Sequence, residues 1–468
     1  MNWTRRSFIA SAAAAPLLAS AAHGAPPHGG KGASSARPNV VFIVVEDLAA
    51  WMLACYGNLE IKSPNIDRLA DSGVRFINNF ACTPASSASL ATLLTGRLPR
   101  QHGIADYLTS SPQKNPERGQ SAPPASFATE VLLSDVLSPA GYRCGFAGRW
   151  NLGNDEHPGH GFSDTVTLPA GAPEAVNPAL LVNGQQTQES GPTPEVLTRH
   201  ASAFIDRQSG PFLLVVSYPA APGSGDGLNA KYVDLYKTAA FQTFGIQPVA
   251  ASALDGKEML ADTVGSIRKA AAAVSLLDEQ VGALQKKIIQ KGIFENTIVV
   301  FTSITGQFLG RRGLWGSGYA SNPPNLFEES VHTPLIVSWP GRIPTQASRP
   351  ELVSAADLVP TLCDAVGVPA PSARNLSGRS ILNVALGKPM PKRQIWLDLV
   401  FGELRGADMA RDNRFKLILR EEDQGADEIY DLRKDPDERV NQFENDEYAD
   451  VRTRLTAEIR TWHEKYPS

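Results

Sequence analysis

Hydrophobic and polar positions along the chain fall into two kinds of run. Val40-Val41-Phe42-Ile43-Val44-Val45 is unbroken, apolar and mostly β-branched, which predicts a strand buried on both faces. Ser63-Pro64-Asn65 then opens a helix with Ile66, Leu69 and Ala70 on one face. Residues 212–217, 297–302 and 335–339 predict three further buried strands. Ahead of the strand at 297–302, Ile267, Ala271, Val274, Leu277, Val281, Leu284 and Ile288 recur at steps of three and four. Arg268, Lys269, Lys286 and Lys287 take the other faces, so a long amphipathic helix is expected. Strands and helices alternating at this spacing predict an α/β fold: a large, mainly parallel sheet covered by helices on both faces.

The pattern changes after about residue 385. Phe415-Lys416-Leu417-Ile418-Leu419 and Ile429-Tyr430-Asp431-Leu432 are short strand-like pieces, followed by an amphipathic helix over 447–465. The expected organisation is a main domain over 38–385 and a smaller C-terminal α+β subdomain over 386–468. Gly/Pro-rich stretches at 109–126 and 168–194 read as surface insertions. There is no internal repeat.

Composition adds boundaries. Of 468 residues, 42% are hydrophobic and 20% charged, the balance of a chain that buries large cores. The 44 basic and 48 acidic residues give a net charge of -4, or -6 once Arg5 and Arg6 are removed with a leader, which offers a nucleic-acid partner no global attraction. Cys55, Cys82, Cys144 and Cys363 are too scattered for a disulfide scaffold; they read as core residues, although an oxidising compartment permits one or two bridges. Residues 1–24 carry a basic start, an apolar stretch and small residues at their end, the parts of an export signal, and Thr4-Arg5-Arg6-Ser7-Phe8-Ile9 resembles the bacterial twin-arginine type. Residues 25–37 read as a flexible leader. A periplasmic or secreted bacterial protein with no transmembrane anchor in its mature chain is expected.

The order PNVVFIVVEDL, CYGN, SPNIDRLADSGVRF, TGRLP, GYRCGFAGRWNLG, ENTIVVFTS and FEESVHTPLIVSWPG resembles the type I sulfatases of the alkaline phosphatase superfamily. SAADLVPTLCDAVGVPAP, RFKLIL and EIYDLRKDPDE continue the resemblance into the small subdomain. The resemblance implies sulfuric ester hydrolysis. In it a Cys or Ser in a Cys/Ser-x-Pro-x-Arg motif becomes formylglycine, whose hydrate attacks sulfur, while calcium and several Lys and His side chains neutralise the sulfate oxygens. The hydrate's second hydroxyl then expels sulfate.

Carried over position by position, the resemblance places the first metal-binding acids at Glu46 and Asp47, just past a buried strand; a solvated strand-end pair is the plain alternative. Spacing from Arg75-Phe76 and from Thr95-Gly96-Arg97 places the nucleophile at Ser86 rather than at Cys82. The motif's proline is then Ala88 and its arginine Leu90, so formylglycine is not expected. A helix N-cap is the alternative for Ser86. Arg149 stands for a lysine and Asn151 for a histidine, which keeps charge at the first and loses proton transfer at the second. The middle strand leads into Ala220-Ala221-Pro222 with no histidine. Ile304 and Thr305 stand for the late metal ligands, and Ser317 for a further lysine. Ile304 cannot bind a hard cation and Thr305 is at best a neutral ligand, so calcium is expected to be weak or absent. His157 and His160 read as surface residues of a Gly/Pro turn.

These substitutions fall on chemical positions while the scaffold motifs stand. The leading expectation is therefore a catalytically degenerate, exported sulfatase-like protein that binds a sulfated or anionic small molecule or glycan through Arg149, or a protein partner. One alternative is an active sulfuric or phosphoric ester hydrolase using Ser86 with a residual metal at Glu46 and Asp47. Another is a structural or interaction protein whose cleft is filled by side chains such as Ile304 and Leu90.

Overall fold

The first apolar run forms β1 (Asn39–Val45), all seven residues buried, at the centre of the larger of two sheets. The computed structural model describes residues 37–108, 120, 122–169, 175–219, 227–389, 398–422 and 424–467; the expected export signal and nearly all of the leader lie outside these. Residues 37–468 pack as one compact unit.

Further strands are β2 (Val74–Phe80), β3 (Arg143–Arg149), β4 (Asp164–Leu168), β5 (Ala179–Val182), β6 (Gln185–Gln188), β7 (Phe212–Tyr218), β8 (Thr297–Ser303), β9 (Leu335–Ser338) and β10 (Ala347–Ser354). They form a ten-stranded sheet in the order β10-β2-β9-β8-β1-β7-β3-β4-β5-β6. β1 runs parallel to β7 and β8, and β3 parallel to β7 and β4. The predicted strand at 335–339 is β9, but it runs antiparallel to both neighbours, β2 and β8. The stretch over 168–194 is only partly an insertion: β5 and β6 pair as an antiparallel hairpin and extend the sheet edge. Alternation there is weak because an edge hairpin with one wet face has little to bury.

The long helix spans Thr263–Gln290, its apolar stripe buried against a helix over Thr193–Arg207. The helix opened by Ser63 spans Pro64–Asp71. Beyond the helix Leu382–Ala385, where the subdomain boundary was expected, an antiparallel sheet forms from β11 (Val400–Leu404), β12 (Ala407–Arg411), β13 (Phe415–Arg420) and β14 (Glu428–Asp431), covered by the helix Ala449–Lys465. One buried apolar cluster joins the two sheets, running from Phe42, Leu90 and Ile304 to Met409, Ile418 and Trp462. All four cysteines are free.

Register sets the site. Val45 lies opposite Tyr218 on one side and Ser303 on the other, and Gly148 lies opposite Ser217. Glu46, Pro219 and Ile304 therefore leave the sheet together, beside Arg149 at the end of β3, at the carboxyl ends of the strands, where open α/β sheets hold their ligands.

Candidate active site

The exits of β1 and β8 are bound to each other. Ile304 N donates to Val45 O (2.9 Å), Leu48 N to Thr305 O (3.0 Å) and to Ser303 Oγ (3.2 Å), and Glu46 N to Tyr218 O (3.1 Å). Asp47 and Thr305 form a reciprocal clasp: Asp47 N donates to Thr305 Oγ1 (3.0 Å), whose hydroxyl donates to Asp47 Oδ1 (2.8 Å). Asp47 holds a left-handed backbone, φ 53°, which the tight turn out of β1 requires and Asp tolerates better than most residues.

Glu46 is engaged from β3. Asn151 Nδ2 donates to Glu46 Oε1 (3.2 Å), and the Arg149 guanidinium faces Glu46 Oε2 with Nε at 3.7 Å. Both side chains are almost closed off from solvent, 9% exposed for Arg149 and 10% for Glu46. Gly148 makes the approach work: at φ 135° it lies so close to β7 that a Cβ would sit 1.9 Å from Ser217 O. Asn151 also takes a left-handed conformation, φ 51°.

Ser86 is the first residue of the helix Ser86–Thr95 and not its N-cap, which is Ala85 with no side-chain bond. Ala88 and Leu90 point into the core. Next to them, Ser89 Oγ donates to Ile304 O (2.6 Å), tying the helix to the end of β8, and Ser87 Oγ accepts from Leu108 N (2.8 Å). Leu90 and Ile304, each 1% exposed, lie in the same apolar cluster. Ser317 is half-buried and its hydroxyl makes no hydrogen bond. Gly318 beside it abuts Pro84, just before the helix. Cys82 is buried with Sγ 3.0 Å from Ser354 Oγ, and burial pushes its thiol up to about 12, so it offers no thiolate.

The structure thus brings together Glu46, Asp47, Arg149, Asn151, Ile304 and Thr305. Sequence reasoning missed Ser303 and Ser89, whose hydroxyls tie the strand ends and the helix together; no motif marks a serine for that role. It also missed Asp106, which accepts from Tyr319 Oη (2.5 Å) and from Arg405 Nε (2.7 Å), linking the C-terminal sheet to the loop after the helix Pro99–His102. His160 departs from its surface reading: it is half-buried and bonds Asp135 through Nδ1 (3.0 Å), while His157 is exposed.

Tested as a calcium site, these residues do not fit. Calcium takes six to eight oxygens. Here the two carboxylates already meet a guanidinium, an amide and a hydroxyl, and the position after Ser303 is an aliphatic side chain in the core. Among the described residues, no group of three or more His, Cys, Asp and Glu could hold a metal ion. Buried His102 is held neutral, its value pushed down to about 3 by burial and by Arg97, and it bonds Thr92. The floor can order the strand ends and carry an internal ion pair.

Fold and cleft together define an α/β scaffold with a small antiparallel subdomain beside a large sheet and a candidate site at the carboxyl ends of the central strands. The sulfatase family profile matches residues 38–368, and a profile for the C-terminal part of N-sulphoglucosamine sulphohydrolase matches residues 324–465. The chain belongs to the sulfatase family. It is 25% identical to an N-acetylglucosamine-6-O-sulfatase of Bacteroides thetaiotaomicron, over 92% of this chain and 87% of that protein. It is 28% identical to human arylsulfatase A, over 86% and 83%. A protein solved with its substrate D-glucosamine-2-N,6-O-disulfate superposes with a TM-score of 0.76 at 22% identity, covering 92% of this chain and 98% of that one. A phosphonate monoester hydrolase of Agrobacterium radiobacter superposes with a TM-score of 0.70 at 20% identity, over 92% and 96%. At these identities the superpositions speak for the fold alone, and that fold carries more than one chemistry.

Proposed function

We propose that this chain is an exported sulfatase-family protein that no longer hydrolyses sulfuric esters. The observation that carries this reading is the floor of the cleft, where Arg149, Asn151 and Thr305 occupy the oxygens of Glu46 and Asp47 and Ile304 is part of the core. With Ala88 and Leu90 around it, Ser86 stays a serine; a sulfate ester formed on it would lack the second hydroxyl that lets the family's intermediate collapse. Sulfated saccharides are the ligand class to test, since the relatives' names and one neighbour's bound substrate point there. Arg149 is a poor anchor for them: its guanidinium already faces the Glu46 carboxylate, so sulfate binding at the floor is weak. The burial of Leu90 and Ile304 in one cluster favours a second reading, a protein whose filled cleft serves structure or a protein contact. Export rests on residues 1–24, and fractionation of a variant with Arg5 and Arg6 both changed to Lys checks it: precursor then stays in the cytoplasm.

The deciding experiment uses purified mature protein. The expected result is an unmodified mass for the Ser86 peptide, no aldehyde adduct, calcium well below one equivalent, and no turnover of 4-nitrophenyl sulfate or glucosamine 6-sulfate. An aldehyde at Ser86, or tight stoichiometric calcium with turnover, makes the active-hydrolase reading correct.

A further inference from the structure

We propose that Arg149 is the resident counter-charge of this cleft, so that a tethered guanidinium does for Glu46 what a bound divalent cation would otherwise have to do, and the two exclude each other. The inference deepens the reading above and shares with it only the premise that the cleft is metal-free. A carboxylate 10% exposed at the end of an apolar strand is not stable without a cation or several donors. Arg149 brings a positive charge to Glu46 and Asn151 a neutral donor. The position of the guanidinium is built in. Gly148 seats β3 against β7 where no other residue fits, and the left-handed turn at Asn151 brings the chain back over the same carboxylate. The Nε to Oε2 distance of 3.7 Å is longer than a hydrogen bond, so that contact acts through charge. A metal ion on Glu46 would have to sit against the guanidinium, and like-charge repulsion in a nearly closed site opposes it. Asp47 is held separately, by the Thr305 hydroxyl and its own turn.

The test is a melting-temperature cycle on the full mature protein with Arg149→Met, Arg149→Lys, Glu46→Gln and the double variant Glu46→Gln with Arg149→Met, each in chelator and in millimolar calcium. The unaltered protein and Arg149→Lys are expected to melt alike in both solutions. Arg149→Met melts several degrees lower in chelator and regains part of the loss in calcium. The double variant melts higher than Arg149→Met, because removing the acid removes the need for a counter-charge, and it ignores calcium. If Arg149→Met does not fold, the double variant still decides the matter: recovery of folding supports the proposal, and failure overturns it. Additive effects of the two single changes, or an Arg149→Met protein as stable as the unaltered one in chelator, also overturn it while leaving the non-hydrolytic reading untouched. Tight calcium in the unaltered protein removes the shared premise and sinks both.

Discussion

At the scale of single residues, Ile304 decides more than any other substitution. The family resemblance sets a metal ligand at this position, but the isoleucine side chain is 1% exposed and belongs to the cluster that also holds Leu90. Changing Ile304→Asp with Thr305→Asn therefore does two things at once. It places a carboxylate in an apolar setting and opens the Asp47 clasp, so the variant in chelator should lose at least ~2 kcal/mol of stability. It also adds charged and amide oxygens, so its melting temperature should rise with calcium where that of the unaltered protein stays flat. Thermal melts at stepped calcium concentrations check both; a variant stable in chelator and blind to calcium would show that the strand ends cannot form the site at all. The identities at Ile304 and Thr305 were legible in the sequence. That Thr305 clasps Asp47 in both directions was not, since the partners are far apart in the chain and meet only through the pairing of β1 with β8.

At the scale of elements, the helix Pro64–Asp71 shows a short segment stabilised from outside. Pro64 and the apolar face at Ile66, Leu69 and Ala70 predicted it, yet Ser63 makes no side-chain cap. The cap comes from the long helix instead: Asp278 Oδ1 accepts from Asn65 N (2.9 Å) and Ile66 N (2.8 Å), and Oδ2 from Asn65 Nδ2 (2.7 Å). Asp278→Ala should cost about 1–3 kcal/mol in urea denaturation, because it removes the cap and strands buried amide donors. Asp278→Asn keeps one acceptor oxygen and should cost less; equal losses for the two would mean that packing and not capping is at stake. A long helix's apolar stripe can be read from periodicity. Which polar residue on that helix reaches a neighbour cannot, and Asp278 was not singled out for that reason.

At the scale of the whole molecule, the two sheets are joined by buried charge as well as by the apolar cluster. Lys416 on β13 is fully buried and pairs with Glu438 (2.8 Å) and Glu328 (3.3 Å); Arg411 on β12 also reaches Glu328 (3.2 Å), and Glu438 Oε2 accepts from Glu328 N (2.7 Å). Burial pushes Glu438 up to about 7, with the charges of Glu328 and Glu329 adding and Lys416 opposing. Burial also works against ionised Glu328, but Arg411, Lys416 and His332 outweigh it and hold that carboxyl down to about 2. The signs oppose. With its value raised from 4.5, Glu438 contributes stability that is complete below pH 4.5 and lost as pH rises to 7; Glu328 contributes above 4.5 and loses it as pH falls toward 2. Glu438→Gln should therefore gain on the unaltered protein between pH 4.5 and 7, by a margin on the order of 1 kcal/mol, as read from denaturation midpoints across that range. A constant difference across the range would place the Glu438 proton elsewhere.

By itself the sequence determined the strands and helices with strong periodicity, the α/β class, the α+β character of the end of the chain, and which residue type stands at each position of the cleft. These are local properties: burial on both faces writes an apolar run, and a helix writes a step of three and four. Tertiary structure decided the rest. β9 runs against its neighbours because sheet direction depends on the connection and not on strand composition, and β5 and β6 pair at an edge where little burial exists to mark them. The direction in which Arg149 points was decided there too. Its charge is visible in the sequence, but whether that charge faces a ligand or Glu46 depends on how far β3 and β1 extend past β7, and Gly148 and the sheet register set that.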